Sequence, residues 1–130
     1  MDGGFFMNNE YRNFGDFLHQ QRIKHGESYR DLAAILEVSA PYISDIEKDR
    51  RNAPTMDKLE ILAKHFNLTS EEKNLMFDLA GKKKSDIAPD IPGYIKENDY
   101  VSYALRTARD LGASKKDWQD FIDELKRRKG

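Results

Sequence analysis

With 130 residues, 38% of them hydrophobic, the chain can bury only a modest core, enough for one compact domain or a small domain with an accessory segment. The absence of cysteine excludes disulfides and Cys-based zinc fingers, and no apolar run approaches the roughly 18 to 20 residues that span a bilayer. The 22 basic and 23 acidic side chains, a net charge of −1, supply no global attraction for a polyanion. The opening Met-Asp-Gly-Gly-Phe-Phe-Met has no basic residue ahead of an apolar core, so no export signal is expected and a cytoplasmic location follows as the expectation.

Residues 1 to 12 read as an N-terminal arm, Gly- and Asn-containing, whose Phe5, Phe6, Met7 and Tyr11 are either disordered or packed on a partner. Apolar spacing then predicts a helix from about Phe14 to His25, with Phe14, Phe17, Leu18 and Gln21 on one face and Gly26 as its stop. Ser28 is a suitable N-cap for a second helix in which Leu32, Ile35 and Leu36 share a face and the small Ala33 admits a close neighbour. Glu37 and Val38 fill a tight turn. Ser39 caps a third helix, Pro41 occupies its first turn where a missing N–H costs little, and Ile43, Ile46 and Glu47 continue the inward face. Its outer face is Ala40, Pro41, Ser44, Asp45 and Lys48.

A fourth helix is expected from Thr55 to Phe66, capped by Thr55, with Lys58, Leu59, Leu62, Ala63 and Phe66 at helical spacing. A fifth follows from Ser70 to Ala80, capped by Ser70, with Glu71 and Glu72 in its first turn and Gly81 ending it. Residues 81 to 93, with Lys82, Lys83, Lys84, Pro89, Pro92 and Gly93, read as a linker. Beyond it Asp99 caps a stripe of Val101, Ala104, Leu105, Ala108 and Leu111, Gly112 stops that helix, and Ser114 caps a last one bearing Trp118, Phe121, Ile122 and Leu125. Residues 94 to 130 thus form a helical hairpin whose apolar stripes need another surface, either the fifth helix or the same hairpin of a second subunit. No segment shows a period of two, so the class is all-α.

Two short helices meeting across a two-residue break read as a DNA-binding helix-turn-helix, and over about residues 13 to 68 the chain resembles the Xre or phage repressor and Cro-type regulators. The resemblance rests on Arg22, Ser28, Leu32, Ala33, Leu36, Val38, Ser39, Ile43, Ser44 and Glu47, followed by Pro54, Leu59, Leu62 and Ala63. It implies a five-helix lambda-repressor-like domain over residues 13 to 80, with the hairpin appended, that places its third helix in the major groove. Three positions depart from the family pattern. Tyr29 replaces the usual Gln, and Glu37 and Asp49 each replace a usual Gly, so Glu37 would bear a left-handed conformation at a cost of roughly 1 kcal/mol while Asp49 tolerates it better.

The DNA contacts implied are Tyr29, Arg30, Ser39, Ala40, Pro41, Tyr42, Ser44, Asp45, Lys48, Arg50, Arg51 and Asn52. Tyr42 could stack on sugar and phosphate or pack on the fourth helix, and Asp45 either accepts from a cytosine amino group or pairs with Lys48 or Arg50. Arg22 and Glu47 fall where the family places a buried ion pair. Residues 1 to 80 carry 10 Lys or Arg against 14 Asp or Glu, so the expected binding half is acidic and its affinity must come from Lys48, Arg50 and Arg51 with Arg30, and from dimerisation. His19, His25 and His65 are scattered without metal-ligand spacing, and neither a catalytic constellation nor a cofactor loop is present. Two functions remain: a homodimeric transcriptional repressor of a short palindromic operator, or an antitoxin-like module that binds a toxin or a regulatory peptidase through its C-terminal helices while regulating its own operon. Leu105, Trp118, Phe121, Ile122 and Leu125 are the expected interface anchors in either case.

Overall fold

The computed structural model describes residues 11 to 84 and 87 to 130. Among them are eight α-helices and no strand: α1 Phe14–Lys24, α2 Tyr29–Leu36, α3 Ala40–Glu47, α4 Met56–His65, α5 Ser70–Lys83, α6 Ile91–Glu97, α7 Asp99–Asp110 and α8 Lys115–Lys129. The chain divides into two compact units, one ending at Pro92 and one containing Gly93–Gly130.

Among the described residues every buried hydrophobic side chain lies in the first unit, where Phe14, Phe17 and Leu18 of α1, Leu32 and Leu36 of α2, Ile43 and Ile46 of α3, Leu59 and Leu62 of α4, and Met76 and Phe77 of α5 form one core. Helices this short gain little from propensity, so it is the packing of these apolar faces that holds them. Side chains fix their starts. The Asn13 side chain accepts from the Asp16 N–H at 2.8 Å, and Ser28 and Asp31 exchange hydrogen bonds of 2.9 and 3.0 Å in a reciprocal capping box. The Ser28 backbone N–H, and after it the Ser28 hydroxyl, hold the Asp31 carboxyl below the usual carboxylate range. Tyr11 packs edge-on against Phe17, ring centroids 5.0 Å apart; Phe5, Phe6 and Met7 of the expected arm lie outside the described residues.

Several boundaries differ from the sequence-based expectation. Thr55 precedes α4 but makes no side-chain capping bond. The N-cap of α5 is Thr69, not Ser70, because Thr69 and Glu72 three residues on satisfy each other's backbone N–H groups at 3.1 and 2.9 Å. Gly81 does not end α5. A glycine stops a helix by turning left-handed, which Gly26 at φ +67 and Gly112 at φ +71 do, whereas Gly81 is buried within the helix, which runs on to Lys83. The expected linker is shortened at its other end too, since Pro92 sits in the first turn of α6, where its ring is tolerated. Asn98 rather than Asp99 precedes α7, and it caps nothing: its amide donates to the Tyr94 carbonyl at 2.8 Å and accepts from the Tyr100 hydroxyl at 2.9 Å.

In the second unit, Ser114 and Asp117 form another capping box that lowers the Asp117 carboxyl in the same way. The Trp118 and Phe121 rings meet edge to face at 6.1 Å. None of the residues of α6, α7 or α8 is fully buried.

Candidate nucleic-acid interface

α3 is held from three sides by residues outside it. On its inner side, α1 approaches so closely that a Cβ on Gly15 would meet the carbonyl oxygens of Ile46 and Glu47, the latter at 2.6 Å. Glu47 then receives a two-pronged hydrogen bond from α1: Arg22 Nε donates to Oε2 at 2.6 Å and Nη2 to Oε1 at 3.0 Å. The pair is nearly dry, with the two side chains 9% and 2% exposed. The Arg22 fork also donates to the Glu27 carbonyl at 2.8 Å, and the Tyr29 ring lies against the guanidinium at 4.4 Å, so its charge is matched on edge and face. The Glu47 hydrogen bond, opposed by burial and helped by nearby negative charge, holds the Arg22 pKa above its ordinary value. His19 Nδ1 adds a contact of 2.9 Å to Glu47 Oε1.

The turn leading into α3 is closed by Glu37 at φ 58, the left-handed position at which the sequence departs from Gly. Val38 N–H donates to the Ala33 carbonyl at 3.0 Å, and Lys58 of α4 reaches across to the Leu36 carbonyl at 2.9 Å, so the end of α2 has both a backbone and a cationic partner. The turn leaving α3 is built alike. Asp49 takes φ 62, Asp49 and Arg50 N–H groups donate to the Ile46 and Asp45 carbonyls at 3.0 and 2.9 Å, and Lys83 of α5 holds both the Asp49 carbonyl at 3.0 Å and its carboxylate at 3.1 Å.

This leaves the outer face of α3 and the turn behind it open. Ser39 and Pro41 are exposed, Ala40, Tyr42, Ser44 and Asp45 half-buried, and Lys48, Arg50, Arg51 and Asn52 exposed. The Ser39 hydroxyl already accepts from the Tyr42 N–H at 3.2 Å. Two cations are oriented by neighbours: Arg50 Nη1 lies 3.8 Å from Asp45 Oδ1, and the Arg51 guanidinium stacks on the Tyr42 ring at 4.7 Å. Arg30 is exposed on α2, while Tyr29 is half-buried with its ring on Arg22. Gly15, His19, Lys58 and Lys83 all shape the site, whereas the sequence alone puts Lys58 on the face of the fourth helix, Lys83 in the linker and His19 among scattered histidines, and gives none of the four this role. Only Gly15 carries a signal there, as a glycine inside an otherwise helical apolar pattern.

His65 pairs with Glu27 at 2.6 Å, tying the last turn of α4 to the residue before the α2 cap. Among the described residues no three His, Cys, Asp or Glu side chains gather as a metal-binding group, and no helix among them is long and apolar enough to cross a membrane.

An α2–turn–α3 pair buried on one side and open along α3 on the other defines a helix-turn-helix unit. Residues 18–73 match the helix-turn-helix family model. The chain is also similar to the HTH-type transcriptional regulator DdrOP3 of Deinococcus deserti, 35% identical over 52 residues, which are 40% of each chain; this chain thus spans less than half the length of that relative. A solved SinR protein/SinI protein complex aligns at 24% identity with a TM-score of 0.45, covering 89% of this chain and 97% of the other.

Proposed function

We propose that the protein is a transcriptional repressor that acts in the cytoplasm, binding a short palindromic DNA operator as a homodimer through α3 and the turn after it. The observation that carries this reading is the division of α3 into an inner side pinned by Gly15 and Arg22 and an open side bearing Ser39, Pro41 and Ser44 beside Lys48, Arg50 and Arg51. Such a face admits base edges at its centre and phosphates at its rim. The name of the Deinococcus relative, a transcriptional regulator, supports the same class. Two-fold symmetry would set half-sites about one helical turn apart, roughly 10 bp between centres. Arg22 and Glu47 act in this reading as structure, with no base contact.

Replacing Arg50 and Arg51 by Ala is expected to weaken binding to all duplexes alike and to flatten the plot of log K against log salt by about 0.9 per lost phosphate contact. A changed sequence preference with an unchanged slope would make them base readers instead.

The C-terminal helices supply the second half of the proposal. They bury no residue, and Leu105 and Phe121 remain 41% and 53% exposed, with Leu125 at 36%; together with Trp118 and Ile122 these side chains are the anchors of the dimer. Aromatic side chains on such a surface tend to carry binding energy. Ending the chain after Pro92 retains every buried core residue, so the fragment should fold, sediment as a monomer at micromolar concentration and bind operator DNA poorly, because two recognition helices are no longer held at fixed spacing. A dimeric fragment would move the self-contact to the first unit. That result favours the second reading, in which the same exposed anchors hold a toxin or regulatory peptidase and the chain acts as an antitoxin.

A further inference from the structure

The structure separates the two arginines behind α3. Arg50 faces a carboxylate, whereas Arg51 faces an aromatic ring, and these environments do different things to a cation. A carboxylate competes with DNA for the guanidinium's N–H groups. A ring takes only its face, leaving the planar fork of donors free for a bidentate acceptor. The stack is set by the backbone around it: Tyr42 is the third residue of α3, and the left-handed Asp49, held by Lys83 through two contacts, turns the chain back so that Arg51 returns beside the first turn of the helix it has just left.

From this geometry we infer that Tyr42 is a positioning residue for Arg51: its ring, and not its hydroxyl, orders the guanidinium so that it meets a DNA phosphate with its rotamer already chosen. The inference rests on the DNA-binding reading above and deepens it. An unstacked arginine must give up rotamer freedom when it binds; one already resting on a ring gives up less, and the gain appears in affinity without any contact between Tyr42 and DNA.

The test uses the full chain and the tightest duplex it recovers from a random-sequence pool, with a scrambled duplex of equal length as control. Tyr42→Phe should bind both within twofold of the unaltered protein. Tyr42→Ala should lose about two- to fivefold on both, the range expected for an exposed cation–π contact, with its melting temperature and salt slope unchanged because no phosphate contact is removed. Arg51→Lys, which keeps the charge but not the planar fork, should lose affinity at an unchanged slope. In an Arg51→Ala background the Tyr42→Ala change should cost nothing further, since coupled residues are not additive. Tyr42→Phe as weak as Tyr42→Ala would assign the effect to the hydroxyl, and additive losses would make the two residues independent; either overturns the inference. Unaltered protein that binds no duplex removes the DNA-binding reading and this one together, while firm binding by the unaltered protein and by Arg51→Ala alike removes this one alone.

Discussion

Arg22→Ala or Glu47→Ala alone is expected to lower stability by about 3 to 5 kcal/mol, the range for breaking a buried ion pair from one side, and hence to lower the melting temperature by upward of about 10 °C. The magnitude follows from desolvation. With the side chains 9% and 2% exposed, water cannot replace the lost partner, and no other carboxylate takes its place: His19 reaches one oxygen of Glu47 only, and Arg22 keeps the Glu27 carbonyl, a 3.2 Å contact with His19 Nδ1 and the Tyr29 ring, none of them a full counter-charge. Replacing both residues together, Arg22→Met with Glu47→Leu, should recover much of the loss, because no charge is then stranded. Thermal melts of the two single variants and the double variant measure this, and single variants that melt with the parent would show the pair to be solvated.

Gly15→Ala should be destabilising by about 3 kcal/mol, against the usual rule. In an exposed helix the change gains about 0.5 to 1 kcal/mol by reducing backbone freedom. Here the added methyl would overlap two backbone carbonyls at the end of α3, and backbone cannot swing aside as a side chain can, so the overpacking cost exceeds the propensity gain. The displacement also acts on Glu47, whose carbonyl is one of the two struck, so Gly15→Ala and Glu47→Ala should be strongly non-additive. A chemical-denaturation midpoint equal to or above the parent's would mean that α1 and α3 can separate freely.

What the sequence makes readable, and what it hides, divides along a physical line. Local signals sufficed where a single segment settles the outcome: Ser28 and Ser39 as caps, the apolar faces of α1 to α4, and the left-handed turns at Glu37 and Asp49, positions where the resembled family has Gly. The α5 cap was readable but misread, since Thr69 has Glu72 at capping-box spacing and Ser70 does not. Gly81, Pro92 and Gly93 look like punctuation by composition, yet a buried glycine and a first-turn proline are both compatible with helix, and only packing or φ distinguishes the cases. The long-range contacts were hidden for a different reason. Lys58 on the Leu36 carbonyl and Lys83 on Asp49 join residues 22 and 34 positions apart, and nothing in either segment says which neighbour the lysine will meet. Tyr29 shows the same limit: its departure from Gln was visible, its place against Arg22 was not.

The anchoring of α3 by residues outside it bears on how the proposed DNA-reading face could be re-engineered. Gly15 and Arg22 come from α1, Lys58 from α4 and Lys83 from α5, so the twenty-residue stretch most recognisable in the sequence does not contain the means of its own alignment. Transplanting Ser28 to Glu47 onto an unrelated scaffold would carry the lettering without the mount. Exchanging only outward residues such as Ala40, Pro41 and Ser44 leaves every anchor in place, so the portable unit is the five-helix body and the editable part is a handful of positions on one face.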